Sequence, residues 1–160
     1  MYYHAWLQTA IGRLLLVKKE QALVCVSLFE EDHQTYVEYY HSKEDEQCLA
    51  EEQKQLAEYF AGERKVFTFP IAYEGTKFQR QVWDALLKIP YGMTQSYLDI
   101  AKQIDNPKAV RGVGQANKRN HLPIVIPCHR VISSKQTLIG YAGSHTNIQE
   151  QLLQLEKRYL

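Results

Sequence analysis

The chain is poor in cysteine and contains no long apolar run. Its 160 residues include only three cysteines, Cys25, Cys48 and Cys128, and an odd, widely spaced set argues against a disulfide framework and for reduced thiols. No run of about twenty apolar residues, the length needed to span a bilayer, is present. The first residues also lack the basic start and apolar core of a signal peptide. We therefore expect a cytoplasmic protein that does not cross a membrane.

Spacing typical of a metal site is also missing. The N-terminal half contains His4, Cys25, His33 and His41 without tight pairs, whereas structural zinc sites bring four ligands together at short, characteristic spacings. We expect no structural zinc, and we expect no cofactor.

The small net charge of +1 conceals two halves of opposite sign. Residues 1–75 carry seven Lys or Arg and thirteen Asp or Glu, a balance of −6, whereas residues 76–160 carry twelve and five, a balance of +7. A basic half is expected in a protein that binds a polyphosphate partner, and an acidic half would face away from that partner. Charge alone fits many soluble domains equally well, so other evidence must decide.

The hydrophobic pattern divides the chain into two parts at about residue 75. In the first part, alternation of Tyr3, Ala5 and Leu7 predicts a first strand within Tyr2–Phe29, and the runs Leu14–Val17 and Ala22–Leu28 predict two more. Helical spacing predicts a helix within Asp45–Gly62. A short strand at Val66–Phe69 precedes the connection. We predict an α/β (α+β) protein in which an N-terminal α/β domain at residues 1–75, a small sheet with a helix, precedes a helical domain at residues 76–160.

Three helices are predicted early in the second part. The first is the amphipathic Thr76–Lys88, which Thr76 would cap. The shorter helices Tyr97–Ile104 and Lys108–Asn117 follow, joined by a tight turn. Two short helices around such a turn have the outline of a helix-turn-helix, although an ordinary helical hairpin looks the same.

A thiol stands beside an imidazole where Cys128 and His129 follow the strand-like segment Leu122–Ile126. A thiolate is a strong nucleophile, and a neighbouring base can generate it at neutral pH. Adjacent side chains of an extended strand point to opposite faces, so this pair meets only if the backbone turns. An isolated cysteine is otherwise most often a small buried apolar residue.

Further motifs surround this pair in a fixed order. They are the predicted helix Lys108–Asn117 with its arginine and glycines, Asn120 eight positions before Cys128, Gly92 to Tyr97 upstream, and Gly140-Tyr141-Ala142-Gly143 downstream. In order and spacing, the segment from Phe78 to Glu156 resembles the 6-O-alkylguanine-DNA alkyltransferases, also called methylated-DNA-protein-cysteine methyltransferases. Several short motifs at fixed separations form a specific signal, whereas Cys-His alone does not.

The resemblance implies a DNA repair protein that flips an alkylated guanine out of double-stranded DNA. The protein would transfer the alkyl group irreversibly from the guanine 6-oxygen to its own Cys128, once per molecule, with 4-O-methylthymine as another candidate substrate. It would act as a monomer without an obligate protein partner or a cofactor. Two other classes stay open. One is a non-catalytic protein that binds alkylated DNA, although such relatives carry tryptophan in place of Cys128. The other is a cysteine hydrolase, which requires an oxyanion hole and releases its product by hydrolysis so that it can act repeatedly.

The resemblance also implies catalytic roles. His129 takes the thiol proton of Cys128 through a water, and Glu156 orients the imidazole, as a carboxylate does in other nucleophile-base sets. Tyr97 donates to the departing base, and Asn120 ties the recognition helix to the active-site turn. The stretch Gly143–Ile148 is one residue longer than usual, so Glu150 is a rival for the histidine's partner if the insertion is placed elsewhere.

The implied DNA contacts lie on the Lys108–Asn117 helix, which enters the minor groove. Arg111 would take the place of the flipped nucleotide, with Lys108 as a rival, and the other contact residues would be Val110, Gly112, Gly114 and Gln115. Glycine costs helix stability, but small residues let a helix approach a groove closely. In the pocket, the carbonyl groups of Cys128 and Val131 would accept hydrogen bonds from the guanine amino group, and Tyr141 and Ala142 would cover the base.

Overall fold

Three antiparallel strands and one short parallel strand form the sheet of the first of two units, Met1–Tyr73. The computed structural model describes residues 1–133 and 146–160. The strands β1 (Tyr2–Thr9), β2 (Gly12–Lys19) and β3 (Ala22–Ser27) confirm the three predicted strands. Gly12 has a φ of 113°, which permits the tight turn between β1 and β2. The short β4 (Lys43–Glu44) pairs in parallel with β1, so the strand order is β3-β2-β1-β4.

Two helices belong to this first unit. The helix α2 (Ala50–Phe60) lies inside the predicted range but begins five residues later, because Asp45 Oδ1 accepts the backbone N–H of Cys48 in a turn. The helix α1 (Glu30–Tyr40) was not predicted. It has no side-chain cap. Its first turn is acidic, and Tyr36, Val37 and Tyr40 pack against the core at helical spacing, so the sequence contained signals for this helix that were missed.

The predicted strand at Val66–Phe69 is wrong. Residues 66–69 form no ladder; the α2 residue Gln55 instead accepts the Thr68 backbone N–H at 2.9 Å through Oε1. Because a side chain already satisfies this backbone group, strand pairing is not needed there. Only Ile71, beyond Pro70, makes an isolated bridge to Leu23 of β3.

Helices dominate the second unit, Glu74–Leu160. The helix α3 (Lys77–Leu86) begins with a capping box between Thr76 and Gln79, which confirms the predicted cap. The helix-turn-helix pair is α4 (Tyr97–Gln103) and α5 (Val110–Lys118), and the last helix is α6 (Thr146–Arg158). The strands β5 (Gln95–Ser96) and β6 (Val131–Ile132) pair in parallel. Among the described residues, no helix has the length and apolar character needed to cross a membrane.

Two close contacts fix α5 against α3. The indole Nε1 of Trp83 donates to the carbonyl of Ala116 at 2.9 Å. A Cβ added at Gly112 would lie 3.1 Å from the ring of Phe78, closer than side chains normally pack. The small size of Gly112 therefore permits helix packing, and a DNA contact by this residue stays a prediction.

The predicted strand at Leu122–Ile126 is also wrong. Ile124 has a φ of 76°, which an extended strand does not contain. Asn120 holds the resulting turn, because its Nδ2 donates to the Ile126 carbonyl at 2.9 Å and its Oδ1 accepts the Leu122 N–H at 2.9 Å. The segment is a turn that the Asn120 side chain stabilises, and it leads directly to Cys128.

Candidate active site

A turn of 3-10 helix over Cys128–Arg130 carries the cysteine and the histidine. The backbone therefore turns at this point, which is the condition that allows adjacent side chains to serve one site. The Cys128 N–H donates to the Ile126 carbonyl at 2.7 Å, and the same carbonyl accepts the Asn120 side chain. Cys128 is 3% exposed, so its thiol lies at the edge of the core rather than on open surface.

His129 pairs with Glu156 from α6. Nε2 of the imidazole lies 2.6 Å from Oε2 of the carboxylate, and both side chains are fully buried. Glu150, the rival partner, is exposed. The structure thus places Glu156, from the last two turns of α6, against the imidazole.

Arg130 completes this network and was missed in the sequence. Its Nε and Nη2 donate to the two Glu156 oxygens at 2.9 and 3.0 Å, and its Nη1 donates to the Ile89 carbonyl at 2.8 Å. The Gly92 N–H adds a contact to Glu156 Oε1 at 3.1 Å. A buried carboxylate requires a cation or several hydrogen-bond donors nearby. If Glu156 is taken as the buried partner of His129, this requirement indicates the adjacent Arg130.

The hydrogen bonds and burial in this network determine the protonation states of Glu156 and His129. Burial by itself would raise the pKa of Glu156, but the hydrogen bond from His129 and the hydrogen bonds and charge of Arg130 hold it far below its ordinary value. Burial lowers the pKa of His129, more than Glu156 raises it. The imidazole is therefore neutral, donates its Nε2 proton to an ionised carboxylate, and keeps a lone pair on Nδ1. Among the described residues Nδ1 has no hydrogen-bond partner.

Tyr97 lies at the N-terminus of α4, close enough to interact electrostatically with Cys128. Burial, followed by this interaction, raises the pKa of its hydroxyl to about 12. The phenol therefore stays protonated at neutral pH, so it is a hydrogen-bond donor next to the cysteine.

Two buried amides that the sequence analysis missed also contact the turn. Asn117 Nδ2 donates to the Cys128 carbonyl at 3.4 Å, and Gln149 Nε2 donates to the carbonyls of His129 and Val131 at 3.1 and 2.9 Å. Asn117 follows Val113 and Ala116 on the buried face of α5. A polar residue on an apolar helix face was the signal that could have revealed it.

The residues implied to bind DNA lie mainly on the outer face of α5. Val110, Arg111 and Gln115 are exposed, and the rival Lys108 before the helix is exposed too. Gly114 is half-buried, and a Cβ added there would meet only the ring of Tyr97, at 4.0 Å. Arg111 is therefore exposed and Cys128 is buried, and both belong to the second unit.

The remaining sequence-predicted residues divide into two groups. Val131 is buried at the start of β6, where its carbonyl accepts Gln149. Tyr141 and Ala142 lie outside the described residues. The described ranges contain no group of three or more His, Cys, Asp or Glu that could hold a metal ion.

Comparison with known proteins gives the family. A family model described as "6-O-methylguanine DNA methyltransferase, DNA binding domain" matches residues 77–158, and one described as the "ribonuclease-like domain" of the same protein matches residues 1–73. The chain belongs to the 6-O-methylguanine DNA methyltransferase family. The resemblance stated from the sequence is therefore confirmed.

Individual relatives match over almost the whole chain. The constitutive methylated-DNA–protein-cysteine methyltransferase of Bacillus subtilis is 48% identical over 98% of this chain and 96% of its own length. The crystal structure of Mycobacterium tuberculosis O6-methylguanine methyltransferase superposes with a TM-score of 0.92 at 39% identity, over 100% of this chain and 95% of that one. Mycobacterium tuberculosis OGT in complex with DNA superposes at 0.87 with 40% identity, over 99% and 93%. These matches confirm the predicted fold class.

Proposed function

We propose that this protein repairs alkylated double-stranded DNA by transferring the alkyl group from the guanine 6-oxygen to Sγ of Cys128. The observation that carries the proposal is His129 Nδ1, which has no hydrogen-bond partner in the described part of the chain, while Nε2 donates to an ionised Glu156. A base held in this way beside a cysteine is an arrangement suited to generating a thiolate. Family membership supplies the substrate class.

The reaction needs one bond to form and one to break. His129 Nδ1 takes the thiol proton through a water, and the thiolate sulfur attacks the alkyl carbon in line. The carbon–oxygen bond then breaks, and its electron pair stays on the guanine. Tyr97 donates its hydroxyl hydrogen bond to the departing base and spreads the developing negative charge. The proton that the thiol released ends on the guanine, so the products are guanine and a thioether.

The substrate base must leave the helix before it can react, because no buried cysteine reaches the 6-oxygen in line within a stacked duplex. The basic second half of the chain attracts the phosphates. Arg111, exposed on α5, fills the space left by the base, and Val110, Gly112, Gly114 and Gln115 contact the groove. Asn120, which follows α5, fixes the position of the turn before Cys128 through its two hydrogen bonds.

A thioether is chemically stable, so each molecule acts once. The protein works as a monomer in the cytoplasm, without a cofactor or an obligate protein partner. Val131, Tyr141 and Ala142 complete the base pocket.

Intact-mass measurement tests the proposal. After incubation with a duplex containing one 6-O-methylguanine, the protein should gain the mass of one methyl group, located on the peptide with Cys128. A duplex with ordinary guanine should produce no gain, and neither should Cys128→Ala with the methylated duplex. A methyl group on another residue, or methanol release without protein modification as a hydrolase would give, contradicts the proposal.

A further inference from the structure

A buried guanidinium lies next to the proposed base, and the alkyl transfer as described does not use it. Arg130 is 7% exposed, although arginine is among the residues that are least often buried. Its Nε and Nη2 contact the two oxygens of Glu156, the carboxylate that accepts a hydrogen bond from Nε2 of His129. An effect of Arg130 on the base would therefore pass through Glu156.

The segment after α3, residues 89–92, holds both members of this ion pair. The Ile89 carbonyl accepts a hydrogen bond from Arg130 Nη1 at 2.8 Å, and the Gly92 N–H donates to Glu156 Oε1 at 3.1 Å. The Nε and Nη2 bonds of Arg130 are directed to different carboxylate oxygens, which is the strong bidentate arrangement. The pair is therefore a fixed part of the site, unlike an exposed ion pair with mobile side chains.

The titratable groups that face this pair come from three elements. Cys128 belongs to the same turn as Arg130. Tyr91, on the segment after α3, has its ring centroid 5.7 Å from the guanidinium carbon and interacts electrostatically with Glu156 and with Tyr159, which follows α6. Burial, and then Glu156, raises the pKa of the Tyr91 phenol, so this group is neutral at neutral pH. Arg130 is the cation that contacts both oxygens of Glu156.

Charge balance then determines whether the imidazole can accept a proton. With Arg130 present, ionised Glu156 and neutral His129 belong to a buried set without net charge. Without Arg130 the set would be negative, and because burial disfavours an unbalanced charge, it would take up a proton. A proton on the imidazole would occupy Nδ1. A proton on Glu156 would be donated to Nε2 and would leave the ring hydrogen on Nδ1, so Nδ1 is protonated in both cases.

We propose that Arg130 is a positioning residue that, through Glu156, keeps Nδ1 of His129 free of a proton and able to accept the proton of Cys128. The inference rests on the proposed alkyl transfer and adds the group that maintains the base in its active form. A nitrogen that already carries a proton cannot accept another, so the thiol would not be converted to a thiolate.

The pH dependence of transfer tests this inference. Single-turnover rates on a duplex containing 6-O-methylguanine are measured from about pH 5.5 to about pH 9 for wild-type protein, Arg130→Met and Arg130→Lys. Arg130→Met should be about tenfold slower on the acid side of the profile, which is a displacement of about one pH unit. It should approach the wild-type rate at high pH, where the additional proton is lost. Arg130→Lys keeps the positive charge, so its profile should not be displaced, although its maximum rate should be lower because lysine lacks the bidentate fork.

Two controls separate charge from folding. Arg158→Met makes the same change at an exposed arginine on α6 and should leave the profile unchanged. Nitrogen NMR of wild-type protein with labelled histidine requires no variant, and at neutral pH it should show a proton on Nε2 of His129 and none on Nδ1. If Arg130→Met does not give a cooperative melting transition, Arg130→Gln takes its place.

Several results would overturn the inference. They are a folded neutral variant of Arg130 whose rate is unchanged or equally reduced at every pH, an Arg130→Lys profile displaced as far as that of the neutral variant, and a protonated Nδ1 of His129 in the wild type. The first two would show that Arg130 only supports the fold. No methyl transfer from any duplex to wild-type protein would instead overturn the proposed function, and the NMR measurement would still test the effect on His129.

Discussion

Each unit buries a histidine, but the two imidazoles have different surroundings. In the first unit, His33 uses both ring nitrogens, with Nδ1 2.8 Å from Ser27 Oγ and Nε2 2.7 Å from the Arg13 carbonyl. In the second unit, His129 pairs with Glu156 at Nε2, and its Nδ1 has no partner in the described part of the chain. Because both rings are buried, burial does not separate a structural histidine from a reactive one. The two rings differ instead in hydrogen bonding, because Nδ1 of His129 has no partner among residues 1–133 and 146–160.

The buried cysteines differ in the same way. Cys25 packs with Leu15 and Val17 in the core of the first unit, where burial raises its pKa to about 12. Cys128 is equally buried, but it lies beside His129 and interacts with Tyr97. In the proposed reaction, Cys25 is inert, whereas Cys128 has His129 as its base and Tyr97 as a hydrogen-bond donor.

The largest expected effect on alkyl transfer comes from replacing the cysteines one at a time. Cys128→Ala should abolish transfer to the protein and retain DNA binding. Cys25→Ala and Cys48→Ala should transfer normally, with at most a loss of stability, because burial raises the pKa of both thiols. Methyl incorporation and DNA affinity, measured on the three variants, check this. Loss of transfer in a folded Cys48→Ala protein would refute the assignment of a single nucleophile.

The histidines should give the second largest difference. Glutamine cannot accept a proton, so His129→Gln should slow transfer by about 100-fold or more, the usual contribution of a general base. His33→Gln should instead leave the rate unchanged and cost about 1–3 kcal/mol of unfolding free energy, because it disturbs a fully paired buried group. Rates and urea melts of both variants measure the contrast. A similar rate loss for both would remove the distinction between the two units.

Arg111 should affect only the duplex reaction. Unstacking a base costs a few kcal/mol, so loss of the side chain that fills the gap should slow transfer from duplex DNA about 100-fold. Reaction with free 6-O-methylguanine base needs no flipping and should stay close to wild type in Arg111→Ala. Lys108→Ala is the matched comparison, since it removes an exposed charge nearby. A larger duplex effect for Lys108→Ala, or equal losses on both substrates for Arg111→Ala, would reassign the role.

The smallest effect concerns stability in acid. The folded state lowers the pKa of His129 from 6.5 and that of Glu156 from 4.5, so the unfolded chain binds more protons than the folded one as pH falls through these values. Both groups therefore stabilise the fold at neutral pH, and this contribution is lost first below 6.5 and then below 4.5. Urea midpoints from about pH 7 to about pH 3 should decline accordingly.

Glu156→Gln provides the control for this acid effect. The variant should be less stable at neutral pH by about 3–5 kcal/mol, because Arg130 is left buried without its partner. Its decline below about pH 4.5 should be flatter than that of the wild type. An equally steep decline would show that Glu156 does not carry the acid sensitivity.

Local patterns predicted the parts of the fold that depend on local interactions. The apolar stretches of β1 to β3 and the capping box at Thr76 are encoded within a few positions. The strands predicted at Val66–Phe69 and Leu122–Ile126 were wrong, because side chains from Gln55 and Asn120 occupy the backbone groups that strand pairing would use. No period in the sequence reveals such contacts.

The residues of the candidate site show the same difference between local patterns and contacts that only the fold creates. Motif order identified Cys128, His129 and Asn120, and the apolar run of α6 favoured Glu156 over Glu150. Arg130 was missed because its partners are distant in sequence; it is 41 residues from Ile89 and 26 from Glu156, which its guanidinium contacts. Only the fold brings such pairs together.

Stoichiometry tests the central claim most directly. A fixed, limiting amount of protein is incubated with excess duplex containing 6-O-methylguanine, and the repaired guanine is counted until the reaction stops. If Cys128 keeps the alkyl group as a thioether, repair should end at one base per protein molecule, and fresh protein alone should restart it. Repair that continues well beyond one base per molecule would mean that the group leaves the cysteine and would contradict the account.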